Sequence, residues 1–180
     1  MRDFIENAAG LLVPAPAKLL MGGVFHAELI RDGRPIDEWD FENTVVNEGL
    51  NSTLNVVFNA ASQITNWYVG LFQGNYTPVP GDTAATIAAN STECSAYTAG
   101  VRQPFITATS IAQTITNAVS KASFTFSAGQ TIYGAFLAST ATINGATGTL
   151  MSAARFATSR VVASGDQLLL TYSFAAASST

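Results

Sequence analysis

Apolar and polar side chains alternate along most of this chain, and the alternation is broken once by a helical period. Trp39, Phe41, Asn43 and Val45 fall on one side and Glu38, Asp40, Glu42 and Thr44 on the other, as a half-buried strand requires. The period then lengthens. Leu50, Leu54, Val57 and Phe58 recur at the spacing of one helix face, which predicts a helix of about three turns with an apolar stripe. Asn47 stands where an N-cap accepts a free backbone N–H, and Glu48 suits the positive end of the dipole. Gly49 weakens the first turn by about 1 kcal/mol relative to Ala.

Before this stretch, residues 24–31 alternate Phe25, Ala27 and Leu29 inward with His26, Glu28 and Ile30 outward, and Asp32-Gly33 turns the chain into residues 36–46. This predicts a hairpin. Residues 67–73 are apolar on both faces, as in a central strand covered on both sides, and Gly70 within them implies a closely packed neighbour. Residues 74–96 read as a loop with at most a short helix around 83–88, long enough to be a candidate contact loop.

Everything beyond reads as strand. Residues 97–106 carry Pro104, which belongs at an edge or bulge. Residues 111–119 follow, then 121–127 with Ala122, Phe124 and Phe126 facing away from Lys121, Ser123 and Thr125, then 132–139, apolar on both faces. Asn144-Gly145 predicts a type I′ turn, and residues 154–162 are expected to pair with 168–174 across Ser164-Gly165-Asp166. Six to eight strands and one helix predict a mainly β chain, an antiparallel β-sandwich or jelly-roll-like barrel with one short helix and an extended N-terminal arm. No repeat of fixed period is present.

A length of 180 residues suits one domain that buries about 70% of its unfolded surface. We divide it into an arm, 1–22, and a single β-sandwich domain, 23–180. The start does not read as a signal peptide: Asp3 and Glu6 occupy the place of a basic region, and Pro14 and Pro16 interrupt the apolar run. It reads as a short helix followed by an extended arm. Phe4, Ile5, Leu11, Leu12, Val13, Leu19 and Leu20 need an apolar groove, either on their own domain or on a neighbouring subunit.

Charge narrows the possibilities. The net charge of −4, with eight scattered basic residues, argues against nucleic acid as a partner, and no apolar run is long enough to span a membrane. One cysteine, Cys94, excludes an intrachain disulfide. Nine of the twelve acidic residues precede Gly49, leaving seven charges in the last 132 residues. An ordinary soluble domain is about 25% charged. So weakly charged a surface is poorly protected against association, and it suits a subunit buried against partners.

No catalytic constellation emerges, and no cofactor or metal is implied. His26 is the only histidine, so a His-based triad has to be built around it and a zinc site has at most one imidazole and one thiolate; its outward position on a strand fits an ordinary surface role. Cys94 has no motif around it. Glu38, Asp40 and Glu42, spaced by two, line one strand face. Such a ladder is a solvated polar face, a contact for a basic partner, or a place for calcium or for paired carboxylates in glycoside cleavage. Arg102, Arg155 and Arg160 stand in a nearly uncharged region, where a guanidinium is costly to bury unpaired. Pairing with the acidic hairpin of another subunit is the expectation they raise.

Several short motifs carry a resemblance: Asn43-Thr-Val-Val-Asn-Glu-Gly-Leu-Asn51 leading into a helix, Trp67-Tyr-Val-Gly-Leu71, Tyr97 with Arg102, Lys121-Ala-Ser-Phe-Thr-Phe126, and Gly134-Ala-Phe-Leu137. Together, across most of residues 24–174, they resemble small virion structural proteins of tailed bacteriophages. The resemblance implies a non-enzymatic capsid cement or decoration protein that is made in the host cytoplasm and sits on the capsid exterior. There, as a homotrimer, it would bind and stabilise the major capsid protein shell. A tail or head-fibre subunit is the alternative, and a carbohydrate-binding module a third reading. The partner contacts expected are Phe4, Ile5, Leu11, Leu12 and Val13 of the arm, the ladder Glu38, Asp40 and Glu42, and Arg102, Arg155 and Arg160.

Overall fold

A computed structural model describes residues 19–178 in full and the backbone of residues 4–6 and 12–14. In chain order the elements are β1 (Phe4–Glu6), β2 (Leu12–Pro14), β3 (Leu19–Arg31), β4 (Arg34–Glu42), β5 (Thr44–Val45), α1 (Asn47–Phe58), β6 (Tyr68–Phe72), α2 (Ala84–Asn90), β7 (Gln103–Pro104), β8 (Thr114–Thr116), β9 (Ala122–Thr125), β10 (Gln130–Ala138), β11 (Leu150–Val162) and β12 (Gln167–Ser178). Two antiparallel sheets, ordered β5-β11-β10-β6-β7 and β4-β3-β12-β8 with β9 also on β12, pack as an open sandwich. It is not a closed barrel.

The alternating faces behave as their periods demand. Phe25, Ala27, Leu29 and Phe41 from β3 and β4, and Leu168, Leu170 and Tyr172 from β12, meet Val69, Leu71, Ile132, Ala135 and Leu137 of the other sheet in one core. Each of the larger aliphatic and phenyl side chains among them contributes roughly 1.5–3 kcal/mol by leaving water. The strands that read as apolar on both faces are covered on both. Phe72, Phe136, Ala138 and Leu150 on the outer side of their sheet pack against Ala84 and Ile87 of α2. Segment 74–96, expected to be a loop with at most a short helix, thus forms a second hydrophobic layer. Thr83 caps α2 by accepting the Thr86 N–H while the Thr86 hydroxyl accepts from the Thr83 N–H. Gly70 is where the close neighbour was expected: a Cβ there would stand 2.2 Å from the Phe136 ring.

The chain changes sheets at Asn43. Its Oδ1 accepts from the Gly23 N–H at 2.8 Å and its Nδ2 donates to the Tyr172 hydroxyl at 2.6 Å. Three residues later the Val46 N–H bonds the Met151 carbonyl in the opposite sheet.

Five expectations require correction. Helix α1 is capped by Val46 with no side-chain bond, and Asn47 is already helical, its N–H donating to the Pro80 carbonyl. The α1 apolar stripe faces outward: Leu54, Val57 and Phe58 are exposed, and Gly49 is the helix's buried residue, against Met151. Asn144-Gly145 does not form a type I′ turn, because only Asn144 has positive φ; the turn closes from Thr142 to Gly145, and the Asn144 N–H is taken by the Glu93 carboxylate at 2.6 Å. β11 does not pair with β12 but with β10 and β5. Ser164-Gly165-Asp166 is therefore a crossover between sheets, held because buried Asp166 accepts from the Ala163 N–H at 2.7 Å and from Arg31 at 2.6 and 2.8 Å. Finally, the arm's expected helix is absent at Phe4–Glu6, which pairs as a strand with Leu12–Pro14, and the sheet begins at Leu19 inside the stretch assigned to the arm.

Candidate functional site

The outward face of β3 and β4 gathers the acidic residues. Glu38, Asp40 and Glu42 project from β4 to solvent, and the register sets His26 opposite Asp40 and Glu28 opposite Glu38. His26 Nδ1 lies 2.7 Å from Asp40 Oδ1, and its Nε2 lies 3.4 Å from Glu38 and 3.5 Å from Glu28. Lys121 from the start of β9 pairs with Glu28. Directly opposed Glu28 and Glu38 would repel; Lys121, paired with Glu28, relieves this. The sequence placed His26 correctly outward but not as the hub of this face. Among the described residues, no group of three or more His, Cys, Asp or Glu is arranged to hold a metal ion.

The three arginines separate. Arg102 is buried, 1% exposed, with Nε 2.7 Å and Nη2 2.8 Å from the two oxygens of Glu93, Nη1 donating to the Thr140 carbonyl, and its guanidinium 4.9 Å from the Phe136 ring centre. It is an internal strut, so the expectation of a subunit contact fails for Arg102. Arg160 reaches the acidic hairpin within its own chain, bonding Asp37 at 2.6 Å and stacking 4.4 Å over Trp39. Arg155 is exposed and donates to the Thr77 hydroxyl at 3.2 Å. Of the arm contacts, Leu11 and the side chains of Phe4, Ile5, Leu12 and Val13 lie outside the described residues.

Two structural nodes were not visible in the sequence. Glu48 accepts from Ala84 N–H at 2.9 Å and Leu150 N–H at 2.7 Å, tying α1 to the start of α2 and of β11. The Tyr172 hydroxyl, between Asn43 and Ser152, joins the two sheets; burial holds its pKa well above the usual phenol value. Burial likewise raises the Cys94 thiol, so Cys94 is a poor nucleophile.

One end of the sandwich has a different character. The N-terminal part of β3 pairs with the C-terminal part of β12, Leu19 opposite Ser178 and Gly22 opposite Ala175, and β8 lies along β12 at Ser173–Ala175. A 230 Å³ cavity between the sheets there is lined by Trp67, Phe105, Ile115, Leu137, Met151 and Phe174. An adjoining 160 Å³ cavity brings in Val56 and Val57 of α1. Segments 19–24, 50–67, 103–117 and 174–178, which build this end, contain no Asp, Glu, Lys or Arg. They also expose Leu19, Leu20, Leu54, Val57, Ile111 and Phe58, the last at 79%. Single exposed apolar residues are ordinary, whereas a contiguous uncharged cluster marks a contact surface.

No protein-family model matches the chain, and no match is found among curated proteins. Among the described residues, no helix is long and apolar enough to cross a membrane.

Proposed function

We propose that the chain is a structural subunit of a bacteriophage virion, a cement or decoration protein that self-associates and binds the major capsid protein of the shell without catalysing a reaction. One observation carries the reading: the uncharged end, where α1 turns Leu54, Val57 and Phe58 to solvent. A helix normally directs its apolar stripe to its own core. Outward orientation leaves area for a partner to remove from water, at roughly 25 cal/mol per Å². The sheets behind it are a rigid platform, and the acidic face on β3 and β4 gives a second surface with the charge to select a basic partner. The sequence motifs supply the virion context.

The test is to purify the chain, measure its molar mass by light scattering, and mix it with shells that lack it. A multimer that sediments with the shells is the expected result. A chain that leaves the shells bare would overturn the virion reading.

A further inference from the structure

The outer face of the β3–β12 ribbon forms a trough of 570 Å³ whose floor includes Leu20, Gly22, Val24, Ala175 and Ala177 and whose rim on the β4 side carries Glu42. The floor is open because its side chains are small. A Cβ on Gly22 would meet nothing within 4 Å, and Ala175 and Ala177 are exposed. We propose that this trough receives the N-terminal β1–β2 hairpin, Phe4–Pro14, of a second copy of the chain, so that neighbouring subunits exchange arms. The inference rests on the assembly reading above and names the partner in that trough.

Three observations select this occupant. β1 and β2 form a two-stranded sheet separate from both sheets of the sandwich, and an isolated two-stranded hairpin is marginally stable in water. Its sequence supplies Phe4, Ile5, Leu12 and Val13, which gain from an apolar seat. Second, the hairpin is tethered at Leu19, the exposed start of β3 at the rim of the uncharged end. The link Pro14-Ala15-Pro16-Ala17-Lys18 favours extended backbone, since Pro fixes its own φ and pushes the preceding residue out of the helical region. At roughly 3.1 Å per residue such a spacer has the reach, about 15 Å, for the hairpin to seat on a neighbour's ribbon. Third, the molecule is acidic overall, with a net charge of −4, and the carboxylate-rich face of β3 and β4 would repel a second copy, whereas the trough has an uncharged floor and one charged lining residue, Glu42, at its rim. A foreign basic partner would instead favour the acidic face.

Gly22→Glu in the full chain places a charged side chain in the trough without an internal clash. It should leave the melting curve and circular dichroism spectrum nearly unchanged and weaken self-association at least about 30-fold, the effect of losing one central contact. Ala175→Glu should act alike, as should deletion of residues 1–18, because the described core lies entirely within 19–178. To identify the donor, Ile5→Cys and Ala175→Cys are prepared as separate variants and mixed under oxidation; Cys94 is buried and does not compete. A disulfide-linked pair formed across the two chains supports exchange. Three results would overturn it: a monomeric full chain, an oligomer that survives both Gly22→Glu and loss of the arm, or a doubly substituted chain that closes its disulfide within one monomer. A monomer that still sediments with shells would refute arm exchange and leave shell binding standing, and an arm-exchanged oligomer that ignores shells would refute the virion reading alone.

Discussion

Arg102 and Glu93 form a bidentate ion pair sealed inside the domain, at 2.7 and 2.8 Å, with neither side chain more than a few per cent exposed. The pair fixes loop 139–149 as well, through Thr140 and Asn144. Replacing Arg102 by Met leaves the Glu93 carboxylate buried with the Asn144 N–H as its remaining donor. Removing one partner of a buried pair costs about 3–5 kcal/mol, so urea denaturation of Arg102→Met should show a loss of that order. A loss below about 1 kcal/mol, the scale of an exposed pair, would show that the site rehydrates.

Gly134 offers a sharper packing test. A Cβ there would lie 2.2 Å from the Ala154 carbonyl oxygen and 2.2 Å from the Phe72 ring, where β10 bends between two registers with β11. A backbone atom cannot swing aside as a side chain can. Gly134→Ala should therefore destabilise by about 1–3 kcal/mol, lowering the melting temperature by about 2–4 °C per kcal/mol for a chain of this size. Gly22→Ala, with open space around it, should change stability by less than about 0.5 kcal/mol. Equal melting temperatures for the two variants would refute the packing argument.

These residues also show how far the chain could be read without coordinates. Period-two patterns separated Phe25, Phe41 and Phe124, which are buried, from the polar faces of their strands, and Pro104, read at an edge or bulge, lies on edge strand β7, because burial of one strand face is a local property. Pairing is not local. Ser164-Gly165-Asp166 carries a hairpin's residues, yet Asp166 is recruited by Arg31, 135 positions away, and the chain crosses to the other sheet. The partner of Arg102 does leave a signal in the sequence: Glu93 is the only acidic residue between Asp82 and Asp166, so a buried guanidinium in that region has one nearby candidate. The α1 stripe was legible as a stripe; which way it faces depends on what lies beside it.

Asp166 makes stability depend on acid. Hydrogen bonding from Arg31 is the main influence holding its pKa below the ordinary 3.8, helped by the Ala163 N–H and opposed by burial. The unfolded chain therefore takes up this proton more readily than the folded one, and stability rises with pH through the interval between the two values. Its contribution is full above the unfolded value and is lost as pH falls below about 4 toward the depressed folded value. Denaturation midpoints measured between pH 6 and pH 2 should fall for the native chain. Asp166→Asn should start from a lower midpoint at pH 6 and fall less steeply. Parallel curves would mean that other carboxylates set the acid limit.

The acidic ladder separates a shell contact from a solvated face. Glu38, Asp40 and Glu42 are exposed on β4, and Lys121, which pairs with Glu28, does not neutralise the carboxylates gathered there. Neutralising the three together, as Glu38→Gln, Asp40→Asn and Glu42→Gln, should leave folding within about 0.5 kcal/mol per site, as expected for surface positions. If the ladder meets a basic patch on the capsid protein, binding to bare shells should weaken for this variant at low salt. The difference from the native chain should then shrink as salt approaches 1 M, where the screening length is about 3 Å. Glu42 also lines the rim of the trough, so its neutralisation removes a charge there and should leave self-association intact or strengthen it, while Glu38→Gln with Asp40→Asn alone should leave self-association unchanged. Native-like shell binding at low ionic strength would assign the ladder to solvent and leave the uncharged end as the surface through which the subunit assembles.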